Sequence, residues 1–273
     1  MFSFGWFSSG RGQGSIDLLT AAHQKMVEGS IPGRIAYVFS DRDPGETPAA
    51  DRFQAVVKSL GLPLITLSSL NLRQKIRQPA SDIEPARQEF DSRVLELLAG
   101  YDVSVVVLAG YMLVLSPRLC ERLLCLNLHP AVPGGPQGTW RQVMWQLMEN
   151  GAREAGAMMH LVTPVLDKGP PVTFCHFPLQ GPGFDPLWQG FREKRKLFSL
   201  EDIRSKERDQ EPLFLHLRAE ELRREFPLIL LTLKNLASGR LTLTFQGVRQ
   251  SGRLVPGGFD ISPEVEDYLN SQG

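Results

Sequence analysis

Leu126-Asn127-Leu128-His129-Pro130 reads as the last residues of a buried strand. Residues two apart in a strand point to the same side of the sheet, so Asn127 and His129 project together while Leu126 and Leu128 face the other way. Pro130 lacks a backbone N–H and stops the strand. An α/β sheet takes its ligands beyond the carboxyl ends of its strands, so this position sets an amide and an imidazole where chemistry is expected. The later run Leu166-Asp167-Lys168-Gly169-Pro170 adds a carboxylate beside a glycine turn. Taken singly, the histidine reads better as a hydrogen-bonded strand end, and Asp167 as a turn aspartate bonded to its own backbone; the Asn-x-His spacing, the strand-end position and the open loop after it shift the reading toward chemistry.

Outward from that strand, short apolar runs alternate with amphipathic stretches. Residues 2–7, 35–39, 64–67, 103–109 and 124–128 read as strands, mostly rich in β-branched or aromatic side chains. Between them 16–28, 49–60, 84–99 and 117–123 carry helical periodicity, and Ser116-Pro117 is a good helix start. Alternation of this kind implies a mostly parallel, twisted α/β sheet with helices on both faces. After Gly135 a helix is expected over 139–150, then strands over 157–162 and 172–178 as an antiparallel extension. Residues 180–210 turn to Gly and Pro and then to dense charge, which reads as a solvated insertion or lid with a short helix near 186–196. Residues 213–237 give a long helix closed by Gly239, followed by a strand over 240–245, a hairpin return at 252–255 and a terminal helix or loose tail over 261–273.

The chain has 273 residues, 42% hydrophobic and 22% charged, with thirty basic side chains against thirty acidic. That is enough to bury a full core in one large or two unequal domains. Zero formal net charge gives no global electrostatic footprint for nucleic acid, so a small-molecule substrate is expected. No membrane-length apolar run and no secretory leader are present, and a cytoplasmic location is expected. Cys120, Cys125 and Cys175 form no CxxC pair and the five histidines form no HExxH, so no metal site is expected.

Gly10-Arg11-Gly12-Gln13-Gly14-Ser15 lies between the first strand and the first helix. Glycines let backbone amides approach an anion, and the positive end of the helix dipole favours a phosphate there. The alternate glycine spacing departs from GxGxxG. This speaks against a dinucleotide-dependent oxidoreductase, even though Asp41 follows the second strand.

In order and spacing together, Ala109-Gly110-Tyr111-Met112, Asn127-Leu128-His129-Pro130, and His160-Leu161-Val162-Thr163 with Leu166-Asp167-Lys168-Gly169-Pro170 resemble the folate-dependent formyltransferases. The likeness is greatest to the glycinamide ribonucleotide branch, covering 2–178 and resuming at 215–239. The resemblance implies a Rossmann-like domain over 1–240, carrying the charged insertion near 180–210, with a hairpin and tail over 241–273. It also implies formyl transfer from 10-formyltetrahydrofolate to the amine of glycinamide ribonucleotide in purine biosynthesis.

On matching positions the resemblance makes Asn127, His129 and Asp167 the catalytic group. It assigns Met112, Leu113, Val114 and Leu115 to the folate pocket with Arg87 near the cofactor, and gives 10–15 the substrate phosphate. Amine attack on a formyl carbon builds an oxyanion, which an amide and an imidazolium can stabilise, while a carboxylate favours the imidazolium and steers a proton-carrying water. The chain departs from the family at Ala131-Val132-Pro133-Gly134-Gly135-Pro136 and at Gln13-Gly14-Ser15-Ile16. It also carries Leu222 where the family has a substrate-binding glutamate, with Glu220 and Glu221 adjacent. Those departures leave other acceptors open: an amino sugar, an aminoacyl-tRNA amine, or water, which would make a formyltetrahydrofolate hydrolase. A phosphosugar-binding protein without catalysis is the reading from another class.

Overall fold

The computed structural model describes residues 1–77 and 83–271. Along the chain the strands and helices run β1 (Phe2–Ser8), α1 (Gln13–Val27), β2 (Gly33–Ser40), α2 (Pro48–Ser59), β3 (Leu64–Thr66), α3 (Leu70–Ile76) and α4 (Glu84–Leu98). Then come β4 (Val105–Leu108), α5 (Pro117–Cys120), β5 (Cys125–His129), α6 (Trp140–Glu149), β6 (Glu154–Leu161) and β7 (Pro171–Pro178). The remainder is α7 (Asp185–Leu197), α8 (Leu200–Lys206), α9 (Pro212–Ala237), β8 (Thr242–Thr244), β9 (Gly247–Gln250), β10 (Arg253–Leu254), β11 (Phe259–Asp260) and α10 (Ser262–Asn270). All five strands expected in the first half form, within a residue or two of their expected ends. Helix α3 was not foreseen, because seven residues are too few to establish a helical period.

The chain divides into two compact units. The first holds Met1–Asn127, His160–Pro170 and Leu233–Pro256, and the second holds Leu128–Met159, Pro171–Thr232 and Gly257–Gly273.

In the first unit five parallel strands are ordered β5-β4-β1-β2-β3. Phe4 faces Val105 and Trp6 faces Val107 across β1 and β4, and Leu108 faces Asn127 across β4 and β5. Every residue of β4 is buried, and so is every residue of β1 after Phe2. Strands in a parallel sheet are covered on both faces, which is why β4 is continuously apolar and why β1 places only small residues, Ser3, Gly5 and Ser8, among its aromatic ones. Phe7, Phe39, Val106 and Leu108 pack with Phe90, Val94 and Leu98 of α4 and Leu119 of α5 in one cluster. The same unit carries a three-stranded antiparallel sheet, ordered β10-β9-β8. The return strand 253–254 therefore pairs with β9 and not, as expected, directly with the strand near 240–245. The tight turn at Thr244–Gly247 brings β9 back first, and Gly247 takes the φ of 124° that such a reversal needs.

In the second unit, β7 runs antiparallel to β6. The Leu179 N–H donates to the Arg153 carbonyl, while Gly156 faces Cys175 so closely that a Cβ there would lie 2.0 Å from the Cys175 carbonyl oxygen. Short β11 joins β7 in parallel, with Phe259 facing Thr173. The short helix expected near 186–196 forms, but the segment is not simply a solvated insertion. Residues 185–197 and 200–206 are helices, and Trp188, Phe191 and Ile203 are buried with Val143, Trp145 and Phe214. Its charges occupy one side of an amphipathic helix whose aromatic residues, three apart, face the core. The segment is thus part of the second unit's core.

Residues 241–256, expected to stand apart with the tail, group with the first unit, and the terminal stretch forms α10 in the second. The last two residues of that stretch lie outside the described residues. No helix among the described residues is long and apolar enough to cross a membrane.

Candidate functional site

In the first unit the carboxyl ends of β4 and β5 open onto a cavity of about 240 Å3. The stretch after β4 supplies Tyr111 and then Met112, Leu113, Val114 and Leu115, and β5 supplies Asn127. The remaining lining includes His160, Val162, Thr163 and Asp167. Residues expected from two distant motifs therefore share one cavity with the expected apolar wall.

Local bonds hold that wall in place. The Ser9 N–H donates to the Gly110 carbonyl at 3.2 Å, and the Met112 N–H donates to Ser9 Oγ at 3.2 Å. Gly110 has a φ of 71°, which favours glycine; a Cβ on it would lie 2.8 Å from Ser15 Oγ, a hydroxyl that would have to rotate away. At the far end of the segment the Ser116 N–H donates to Asp91 Oδ2 at 2.6 Å. Burial raises the Asp91 carboxyl above its usual range, against the opposing pull of that hydrogen bond and of Arg87. Beneath the wall Tyr111 stacks edge-on against Phe7, with ring centroids 5.4 Å apart.

The turn that presents Asp167 is equally constrained. The Val162 N–H donates to the Cys125 carbonyl at 2.7 Å, the Leu161 N–H to the Pro170 carbonyl at 3.0 Å, and the Lys168 N–H to the Val165 carbonyl at 3.2 Å. Asp167 itself has a φ of 53°, in the left-handed region that Asp and Asn tolerate better than most residues. Its Oδ1 lies 3.9 Å from His160 Nε2, while His160 Nδ1 lies 3.1 Å from the Leu161 carbonyl oxygen. His160 entered the sequence reading only as part of a motif. Its position seven residues before Asp167, at the end of β6, was the available signal.

His129 belongs to the second unit, at the end of β5. It is buried, and its Nε2 lies 2.9 Å from the Pro136 carbonyl oxygen. A carbonyl can only accept, so Nε2 carries the proton in that bond. The loop that departs from the family pattern therefore supplies this partner of the imidazole.

In the glycine loop, Gly10 takes a φ of 57° and its N–H donates to Ser8 Oγ. Helix α1 begins at Gln13, and its N-cap, Gly12, provides no side-chain cap. A Cβ at Gly12 or Gly14 would meet nothing within 4 Å, so the first turn faces open space with its amides uncapped by a side chain. Gln13 donates to Asp17. Arg87 sits in the first turns of α4, bonded to Glu84 at 2.7 Å, and is not among the cavity's lining residues.

Glu220 and Glu221 lie on the second unit's part of α9. Glu220 is held by Arg224 at 2.8 Å, which keeps its carboxyl below the usual range in spite of opposing burial. Glu221 is wholly buried and accepts from Arg218, and burial pushes its carboxyl up to about 8. Leu222 is half exposed.

A formyl transferase family model matches residues 7–178. The phosphoribosylglycinamide formyltransferase of Escherichia coli is 33% identical over 96 residues, covering 34% of this chain and 44% of that protein. A formyltetrahydrofolate deformylase of Mycobacterium bovis is 41% identical over 86 residues, 31% of this chain and 27% of the relative. In both, the matched stretch is less than half of the relative's own length. Among solved structures, glycinamide ribonucleotide transformylase 1 from Symbiobacterium toebii superimposes with a TM-score of 0.59 at 26% identity, covering 92% of this chain and 94% of that one.

Proposed function

The chain belongs to the formyl transferase family, and from that premise we propose that it transfers a formyl group from 10-formyltetrahydrofolate to the amine of glycinamide ribonucleotide. The observation that carries this reading is the meeting of Asn127 and Asp167 in one cavity walled by Met112, Leu113, Val114 and Leu115. Its lining mixes apolar side chains with an amide, an imidazole and a carboxylate, which suits a flat heteroaromatic head group beside a polar reaction centre. At about 240 Å3 it is small for a ligand site, and so fits the fused-ring end of the donor better than its whole length.

In the proposed reaction the acceptor nitrogen attacks the formyl carbon, forming a C–N bond and a tetrahedral oxyanion. Asn127 donates its amide N–H to that oxygen. His129 supports the same charge when protonated, and Asp167 orders a water that carries the amine proton to the departing folate nitrogen as the old C–N bond breaks. The open first turn of α1, with Gly10, Arg11, Gly12, Gln13, Gly14 and Ser15, receives the acceptor's phosphate through backbone amides. Glu220 is retained as an acceptor-side group through its charge, while Glu221, wholly buried and accepting from Arg218, is the less accessible of the two.

A second reading keeps the same groups and replaces the amine with water. The 41% identity to a deformylase over 86 residues favours it specifically. Incubating the protein with 10-formyltetrahydrofolate, with and without glycinamide ribonucleotide, separates the two. Tetrahydrofolate released only with the amine, together with formylated product, supports transfer; release with formate in its absence supports hydrolysis, and no release under either condition refutes both.

A further inference from the structure

The first unit carries another cavity, of about 380 Å3, whose lining includes Ser9, Arg11, Arg42, Thr47, Arg73 and Arg77 and contains no carboxylate. Four elements converge there: the loop after β1, the loop after β2, the N-cap of α2 and the helix α3 with its end. A guanidinium does not give up its proton, so four fixed positive charges share one opening.

Two acids compensate part of that charge. Glu46 Oε2 lies 2.7 Å from Arg73 and 3.8 Å from Arg42. Asp41 Oδ2 lies 3.9 Å from Arg42 Nε and also accepts from Ser69 Oγ at 2.7 Å. Arg11 and Arg77 have no ion pair among the described residues. The Nε atoms of Arg42 and Arg73 are buried without a hydrogen-bond partner, although those side chains are only 13% and 15% exposed. Arg11 and Arg77 are exposed and hydrated, so the lining presents two guanidinium groups free to meet an anion beside two that are already held in place by acids.

We propose that this arginine-lined cavity is a phosphoryl-anion site, separate from the cavity that holds Asn127 and Asp167, and large enough for a diphosphate. The planar guanidinium fork matches phosphoryl oxygens two at a time, and the hydroxyls of Ser9 and Thr47 line the same opening. The assignment does not depend on formyl transfer, since it concerns binding alone.

Calorimetric titration of the full chain with inorganic pyrophosphate at low salt tests it. The expected result is one equivalent bound, with affinity falling as salt is raised. Arg77→Gln, at an exposed position, and Arg73→Gln should each weaken binding by about tenfold or more, the usual worth of a charged hydrogen bond. Lys75→Gln removes the same charge from α3 outside the lining and should bind like the parent. Absence of binding by the parent overturns the proposal, as does parental affinity in Arg77→Gln with an intact thermal unfolding transition. An equal loss in Lys75→Gln reduces the effect to general electrostatics and also overturns it. Competitive displacement of pyrophosphate by glycinamide ribonucleotide would make this the acceptor's own phosphate pocket and remove the claim of a separate site. Titration with inorganic phosphate alone distinguishes a single phosphoryl group from a diphosphate: binding as tight as pyrophosphate overturns the diphosphate assignment.

Discussion

Gly169 approaches Leu161 so closely that a Cβ on the glycine would lie 1.5 Å from the Leu161 carbonyl oxygen. The obstacle is backbone, so no rotamer change relieves it. This contact fixes the turn that presents Asp167 to the cavity, and it explains why glycine follows Asp167-Lys168.

Gly169→Ala is expected to destabilise the protein by at least about 3 kcal/mol, the upper end of ordinary overpacking, because the turn must move as a whole. Urea unfolding monitored by tryptophan fluorescence checks this; a midpoint unchanged from the parent would show that the turn yields freely.

Asp167→Asn keeps a residue that tolerates the φ of 53° and removes only the charge. The fold should persist, while turnover with 10-formyltetrahydrofolate falls by about 10²-fold or more. Steady-state kinetics beside a thermal melt separates the two effects, and full turnover in this variant would remove Asp167 from the mechanism.

Asp91 holds the Ser116 N–H and with it the end of the Met112 to Leu115 wall. Asp91→Ala leaves that N–H buried without its acceptor, at a cost of about 1–3 kcal/mol. The KM for the formyl donor should rise more than kcat falls, whereas Asp91→Asn, which retains an acceptor oxygen, should recover most of the loss. Equal effects of the two substitutions on KM would show that the bond does not position the wall.

Glu221 titrates near 8 in the folded protein because burial outweighs the attraction of Arg218, while an unfolded glutamate titrates near 4.5. Burial also raises neighbouring Glu225. Between those values the folded state binds more protons than the unfolded state, so stability falls as pH rises from about 4.5 through about 8. Glu221→Gln should flatten that part of the profile. Denaturant midpoints at several pH values across the window, compared between parent and variant, provide the measurement, and superimposable slopes would count against the raised value.

Much of the fold was legible because its signals are local. Buried parallel strands such as Val105–Leu108 are short apolar runs, and helix starts such as Ser116-Pro117 announce themselves within a few residues. Asn127 was legible from strand alternation and its strand-end position and Asp167 from its glycine turn, whereas the Met112 to Leu115 wall was expected only through the family resemblance. Trp188 and Phe191 were obscured by the charges around them, because an amphipathic helix with a narrow aromatic face has a polar composition overall.

By itself, then, the sequence determined the alternation of strand and helix, the strand-end position of Asn127 and the glycine turn beside Asp167. Each depends on backbone periodicity or turn chemistry within a handful of residues. Only the tertiary structure decided that His160 joins the cavity and that His129 Nε2 faces the Pro136 carbonyl. It likewise decided that Glu221 is buried against Arg218 and that Arg11, Arg42, Arg73 and Arg77 share one opening. The physical reason is that a side chain's partners and its exposure to water are set by where the chain returns in space, which periodicity along the chain does not encode.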